Sequence, residues 1–331
     1  MKKSNTSLSG KTVVITGASS GVGRATAIAF AKKGANLVLA ARGEEALQSI
    51  AEACEALGVQ VLRLQTDVSV AEEVQRLADA ATQLNGHIDV WVNNAGVLAL
   101  GPFEQMPADV LDQVIKTNLL GYMHGARAVL PIFKKQKRGV LINNISIGGW
   151  VAAPYGAAYS ASKFGLRGLT ESLQGELAAY PHIHVCGLYP GFQDTPGIKH
   201  AANYLGVEVS TPPPNFDPNK LAHSIVKIAA NPENAAYTDW SAVFARAAYA
   251  LFPSFTRNVM GTMMRFVRKE ADSKATTSGN ILHPVDHDMR IEGESPAHRK
   301  IKKAKILGAA ALGGAALWWI LRPGTSSAPK G

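Results

Sequence analysis

The sequence predicts an α/β protein built on a doubly wound parallel sheet, a single domain with a helical C-terminal extension. Three observations predict it. From Lys11 onward, short continuous apolar runs alternate with longer helical stretches, the pattern of parallel strands covered on both faces. Glycine stands just past the first two helical stretches, at Gly34 and Gly58, where a left-handed residue ends a helix without strain. The first apolar run ends in a glycine-rich turn that opens directly into a helix.

Taken in order, residues 12–16 read as a buried strand and 23–33 as a helix. Residues 36–41 read as a strand, 44–57 as a helix and 60–66 as a third strand. A helix over 70–84 and a strand over 88–93 follow. Residues 107–136 form a long helical region containing Pro131, where the missing N–H predicts a kink or break. Strands are expected at 139–145 and 184–188, with a helix over 155–180 between them. Beyond a proline-rich loop at 211–219 come a helix over 221–230 and a last strand near 235–240. Right-handed β-α-β units stacked this way give the doubly wound arrangement.

The expected organisation is a catalytic domain over 8–240, a helical extension or substrate lid over 241–270 broken at Pro253, a polar linker over 271–298, and a basic-apolar tail over 299–331. The net charge of +9 does not point to nucleic acid. Seven basic and no acidic residues lie from His298 onward, which leaves 27 basic against 25 acidic elsewhere. Cys54 and Cys186 make neither a disulfide framework nor a metal pattern, so no metal is expected. Polar residues after Lys2 and Lys3 exclude a secretory leader there, and a cytoplasmic location is expected.

In the tail, residues 306–321 are uncharged and end on Trp318 and Trp319, with Lys300, Lys302, Lys303 and Lys305 ahead of them. As a helix the run would span about 24 Å, short of the roughly 30 Å hydrocarbon core. The flanking lysines and tryptophans nonetheless suit a membrane interface, so membrane association through 299–322 is expected, with a helix docked on the protein itself or on a partner subunit, or a disordered tail, as the alternatives.

The glycine turn reads Thr16-Gly17-Ala18-Ser19-Ser20-Gly21-Val22-Gly23. Glycines at 17, 21 and 23 let a pyrophosphate approach the backbone, and the helix start supplies free N–H groups and a favourable dipole end. An acid at the end of the second strand would select NAD by binding the ribose 2′-hydroxyl. Here Ala41 and Arg42 stand at that place, and an arginine can pair with a 2′-phosphate, so NADP(H) is expected.

A second constellation follows. Asn93-Asn94-Ala95-Gly96 closes the fourth strand, Asn118 lies in the long helical region, and Ser146 ends the fifth strand. Tyr159 comes thirteen residues after Ser146, and Lys163 four after that. Hydride transfer to a carbonyl carbon must be matched by proton transfer at its oxygen. A free tyrosine, with a pKa of roughly 10, is a poor base at neutral pH. An ammonium one helical turn away, with the positive ring of an oxidised nicotinamide, would favour the phenolate. Ser146 could hold the substrate oxygen, and Asn118 could anchor a water between Lys163 and solvent.

In order and spacing, this set resembles the short-chain dehydrogenase/reductase family, strongly from Leu8 to Thr195 and fading beyond. The resemblance implies a Rossmann fold, cofactor contacts from Gly17, Ser19, Ser20, Gly21, Val22, Gly23 and Arg42, and an adenine contact from Asp67 and Val68. Asp67 could instead cap the following helix. It also implies a cofactor-lining role for Asn94, Ala95 and Gly96, contacts to the nicotinamide carboxamide from Pro190, Gly191 and Thr195, and catalytic roles for Asn118, Ser146, Tyr159 and Lys163.

The expected activity is that of an NADP(H)-dependent oxidoreductase acting on a CH–OH group, a carbonyl reductase or the reverse alcohol dehydrogenase. Trp150, Val151, Tyr155, Phe192, Ile198 and Leu205 suggest an apolar pocket, and Phe252, Met260, Met263, Met264 and Phe266 a lid. A lipid-, steroid- or xenobiotic-like substrate would fit. An epimerase or dehydratase and a non-catalytic cofactor-binding scaffold are the competing readings. A homodimer or homotetramer is the expected assembly.

Overall fold

The computed structural model describes residues 7–212, 214–285 and 287–293. The tail from 299 onward lies outside them, as does the membrane contact expected of it.

The chain begins in the middle of the sheet with β1 (Thr12–Thr16), α1 (Gly21–Ala31), β2 (Asn36–Ala41), α2 (Glu44–Glu55) and β3 (Val61–Gln65). Helix α3 (Ala71–Asn85) carries it back to β4 (Val90–Asn93). A short β5 (Ala99–Leu100) precedes α4 (Ala108–Ile115) and α5 (Gly121–Gln136). Then come β6 (Gly139–Asn144), α6 (Ala157–Glu176), β7 (Ile183–Leu188), α7 (Gly197–His200), β8 (Ala202–Asn203), α8 (Pro218–Ala230) and β9 (Ala235–Ala236). Two helices, α9 (Trp240–Leu251) and α10 (Pro253–Glu270), complete the order.

Seven strands form one sheet in the order β3-β2-β1-β4-β6-β7-β9, every pair parallel. Strands β5 and β8 pair separately. The expected doubly wound parallel sheet is therefore present. Its strand interiors are apolar because both faces are covered. Phe30 of α1, Leu47 and Ile50 of α2 and Ile225 of α8 fill one face. Leu77 of α3, Phe133 of α5 and Leu177 after α6 fill the other. Strand order reverses between β1 and β4, so the crevice beyond their carboxyl ends is where such a sheet binds ligands.

Two expectations differ in instructive ways. Helix α5 runs through Pro131 without a break. Pro131 and Arg127 face solvent, where water can satisfy the carbonyl that lacks a partner, while Val129, Leu130 and Phe133 anchor the buried face. The irregularity lies earlier, in a π-turn at Lys116–Leu120 that carries Asn118. The polar stretch after Ala271 is not a free linker. It bridges to Asn203 and Val207 and packs Ile281 fully into the protein. Its polarity signalled a loop; the tertiary contacts of a few residues decided where that loop lies.

Candidate active site

At the end of β1, Gly17 has φ of +66°, and a side chain there would lie 2.7 Å from the Ala95 Cα. A Cβ on Gly23 would lie 2.0 Å from the Gly17 carbonyl oxygen and 2.6 Å from Asn94 Nδ2. Glycine is required at both because the turn and the Asn94-Ala95 segment touch. Asn94 fastens them: its Nδ2 donates to the carbonyls of Thr16 at 3.1 Å and Gly17 at 3.2 Å. Thr16 Oγ1 in turn accepts from the Asn94 and Ala95 N–H groups at 3.0 and 3.2 Å. Ser20 caps α1 without a side-chain bond, Ser19 lies before it in the turn, and Val22 lies in the first turn of the helix.

Below this turn runs a buried amide ladder. Asn93 Nδ2 donates to Asn143 Oδ1 at 2.9 Å, and Asn143 Nδ2 to Thr170 Oγ1 at 3.0 Å. Trp91 Nε1 donates to Asn93 Oδ1 at 2.8 Å, and Asn144 Nδ2 to Asn94 Oδ1 at 2.9 Å. The ladder ties β4, β6 and α6 in register directly beneath the crevice. Asn143, Asn144 and Thr170 were not among the expected site residues. The signal was there, since two neighbouring strands each end in an Asn-Asn pair after an apolar run.

Tyr159 sits in the first turn of α6 and Lys163 one turn on, as their spacing requires. Lys163 is 5% exposed. Its Nζ lies 5.5 Å from the Tyr159 ring centre and 5.4 Å from that of Tyr122. Burial pulls the Lys163 pKa down to about 7. Burial also raises that of Tyr159, against a hydrogen bond with Ser146 that lowers it. In the chain alone, desolvation therefore outweighs the attraction expected to favour a phenolate–ammonium pair.

Ser146 stands beyond the end of β6 with φ of +115°, a conformation that L residues with side chains rarely adopt. Its N–H and that of Ile145 both donate to the Leu188 carbonyl, at 3.3 and 2.9 Å. Its Oγ accepts from Gly148 N–H at 3.1 Å. A Cβ on Gly148 would lie 3.1 Å from the Tyr159 ring, so serine and tyrosine meet across a bare backbone.

Asn118 is fully buried, and its side chain is spent. Oδ1 accepts from Val97 N–H at 2.8 Å, while Nδ2 donates to the Val97 carbonyl at 2.9 Å and to Ser162 Oγ at 3.3 Å. Its amide thus clips the chain after Gly96 to the helix of Tyr159. A Cβ on Gly96 would lie 3.5 Å from Asn118 Oδ1 and 3.9 Å from Lys163 Nζ, which puts all three together.

The remaining expected residues are placed less uniformly. Asp67 turns Oδ1 to the Ser69 N–H and hydroxyl, at 2.9 and 2.7 Å, so it organises the turn into α3. Val68 is buried, and its carbonyl lies 2.9 Å from His124 Nδ1. Thr195 sits against the glycine turn, its Cβ 3.3 Å from where one would be on Gly21. The Pro190 carbonyl accepts from Ile147 N–H at 2.8 Å. The Gly191 N–H donates to Asp239 Oδ2 at 2.8 Å. Asp239 was not expected in the site; it caps α9 through Ala242 N–H at 2.9 Å, and so joins that helix to the Pro-Gly segment. An Asp just ahead of an apolar helix is its signal in the sequence.

Arg42 lies at the end of β2, half-buried, and donates to the carbonyls of Asn280 and Ile281. Of the expected pocket, Val151 and Leu205 are buried, while Phe192 is exposed. Trp150 is sandwiched between the Arg167 and Arg246 guanidinium groups, at 4.2 and 4.3 Å, so it does not stand free as a pocket wall. Tyr155 lines a cleft of about 340 Å³ with Phe103, Ala157 and Arg268. Of the residues expected in a lid, Phe252, Met263 and Phe266 are exposed, and Met260 and Met264 are half-buried.

A doubly wound sheet with a glycine turn at its switch point and a Ser-Tyr-Lys set beside it defines the class of nicotinamide-dependent oxidoreductases. The chain belongs to the short-chain dehydrogenase family, whose model matches residues 11–203. It is 30% identical over 325 residues to the uncharacterized oxidoreductase YxnA of Bacillus subtilis strain 168, covering 94% of this chain and 90% of that one. A short-chain dehydrogenase/reductase from Burkholderia phymatum, solved in complex with NAD, is 27% identical with a TM-score of 0.65, covering 82% of this chain and 99% of that one. An alcohol dehydrogenase from Thermococcus sibiricus, solved with 5-hydroxy-NADP, is 29% identical with a TM-score of 0.59, covering 69% of this chain and 95% of that one. Among the described residues, no helix is long and apolar enough to cross a membrane, and no group of side chains could hold a metal.

Proposed function

We propose that the protein transfers hydride between NADP(H) and an apolar alcohol or carbonyl compound, with Tyr159 exchanging the proton. The observation that carries this reading is the convergence of Ser146, Tyr159 and Lys163 at the sheet's switch point, across Gly148 and Gly96. The turn fits a dinucleotide, because α1 starts there with no side-chain cap, which leaves the N–H groups of its first turn to an anion such as the pyrophosphate. The turn from Gly17 to Gly23 would hold the pyrophosphate, with Asn94, Ala95 and Gly96 along one side and Pro190, Gly191 and Thr195 along the other. Arg42 would pair with the 2′-phosphate, and Asp67 and Val68 would border the adenine. When bound, the reduced cofactor supplies the hydride.

The chain's own groups do the rest. Ser146 Oγ, fixed by Gly148 N–H, holds the substrate oxygen. Tyr159 Oη, kept protonated by burial, donates its proton to that oxygen. Lys163, buried with its pKa pulled down to about 7, takes a proton from solvent and passes it to the Tyr159 oxygen left by the transfer, which restores the neutral tyrosine. Asn118 keeps Gly96 and α6 at a fixed spacing, because its amide is committed on both sides.

The substrate is read as lipid-, steroid- or xenobiotic-like from the apolar residues between Trp150 and Leu205, and direction follows the cofactor ratio. The reading includes a homodimer or homotetramer, a cytoplasmic location and membrane contact through residues 299–322. A screen of NADPH oxidation over apolar ketones and aldehydes tests the activity, and paired Michaelis curves with NADPH and NADH test the cofactor. Turnover with NADPH and selectivity lost in Arg42→Ala is the expected result; a wild-type preference for NADH overturns the NADP(H) assignment.

A further inference from the structure

Residues 277–285 and 287–293 lie on the same groups that the proposed cofactor would use, and this inference rests on that reading. The Gly21 N–H, at the start of α1, donates to the Arg290 carbonyl at 2.9 Å. Arg42 donates to the Asn280 and Ile281 carbonyls. These are the donors assigned above to the pyrophosphate and the 2′-phosphate, and each is met by a main-chain oxygen of the C-terminal segment.

The Ile281 carbonyl is on Arg42, yet its side chain is fully buried in the cluster of Val97, Ala99, Val110, Val114 and Ala158 against which Tyr159 packs. Ile281 thus reaches from the phosphate-reading arginine to the catalytic helix. Docking is specific rather than a loose drape. Thr277 and Asn203 exchange backbone bonds at 2.8 and 3.0 Å, and Asn280 N–H donates to the His200 carbonyl at 2.8 Å. Gly293 N–H donates to the Asp194 carbonyl at 2.9 Å, next to Thr195, and Lys199 pairs with Asp288 at 3.4 Å.

We infer that this segment is an autoinhibitory strap that imitates the cofactor's phosphates with backbone carbonyls, so that strap docking and NADP(H) binding exclude each other. The protein then has two states, and only the undocked one accepts cofactor. Apparent affinity falls by the undocked fraction, which lets anything that grips the strap control the enzyme. Alternating docked and cofactor-bound states need no new contact, because both use acceptors on the same donors.

Hydrogen exchange on the full wild-type chain, with and without saturating NADPH, reads this directly. The expected result is faster exchange at residues 277–281 and slower exchange at 17–23 when NADPH is added. Unchanged or greater protection at 277–281, with 17–23 protected, overturns the strap while leaving the cofactor reading standing. A variant gives the second arm. Gly279 has φ of +53°, and a Cβ there would lie 2.3 Å from the His200 carbonyl oxygen, so Gly279→Ala should unseat the strap. NADPH should then bind about tenfold tighter by calorimetry, as expected if about a tenth of the wild type is undocked. Equal or weaker binding by the variant overturns the inference. Absence of binding by both proteins overturns the cofactor reading and the strap with it.

Discussion

The two walls of the crevice are held in opposite ways. The wall of strand ends and α6 is fastened by side-chain amides, buried at Asn93, Asn118 and Asn143 and half-buried at Asn94 and Asn144, which bond to one another, to Thr170 or to backbone. The wall made by α9 and α10 has one buried residue, Ala242, in its first helix and none in its second. Trp240, Phe244 and Leu251 stand 67%, 59% and 72% exposed. The difference teaches which part of such an enzyme carries precision. Proton transfer needs atoms held to a fraction of an ångström, and buried hydrogen bonds such as those of Asn93, Asn118 and Asn143 supply that rigidity. Substrate recognition needs a surface that can be re-formed, and exposed apolar helices supply area without fixing its partner.

The largest effect should come from the reacting atom on the rigid wall. Tyr159→Phe keeps the ring and removes the proton, so turnover should fall about 10²- to 10⁴-fold while NADPH still binds. Near-normal turnover would refute proton transfer by this residue. Next comes the support beneath it. Asn143→Ala strands polar groups of Asn93 and Thr170 in the core and should cost about 1–3 kcal/mol in urea unfolding; a cost near zero would mean the ladder does not carry the wall.

A pH effect of intermediate size should follow from Lys163. Its folded pKa is about 7, below the 10.5 of an unperturbed lysine. Between those values the unfolded chain binds the extra proton, so Lys163 contributes a stability that rises with pH across this window. Wild type compared with Lys163→Met should show the steeper rise from pH 7 to 9.5, and parallel curves would contradict a buried, easily discharged lysine. The smallest effect belongs to the outer wall. Leu251→Ser should shift stability by less than about 0.5 kcal/mol, since Leu251 is 72% exposed. A larger loss would show that α9 is covered in solution and would dissolve the contrast between the walls.

Much of the rigid wall was legible in the chain, because its signals are local. A strand-turn-helix glycine pattern, an Asn-Asn pair at a strand end and a tyrosine one turn before a lysine each fit within a few residues. The amide of Asn118 was harder. Its partners, Val97 and Ser162, lie 21 and 44 residues away, and no spacing in the sequence announces a π-turn. Trp150 was read as a pocket residue from its hydrophobicity, but two arginines from separate helices enclose it.

The sequence by itself determined the alternation that makes a doubly wound sheet, the glycine turn and the order of the Asn, Ser, Tyr and Lys set. These follow from periodicity and backbone permissiveness, which are properties of neighbours along the chain. Only the tertiary structure decided that Tyr159 and Lys163 are both pushed toward their neutral forms, because burial depends on what the rest of the chain lays over them. It alone decided, too, where the polar stretch after Ala271 goes: its carbonyls meet Arg42 and Gly21, more than two hundred residues away in sequence, across the groove those two residues were expected to open to a cofactor.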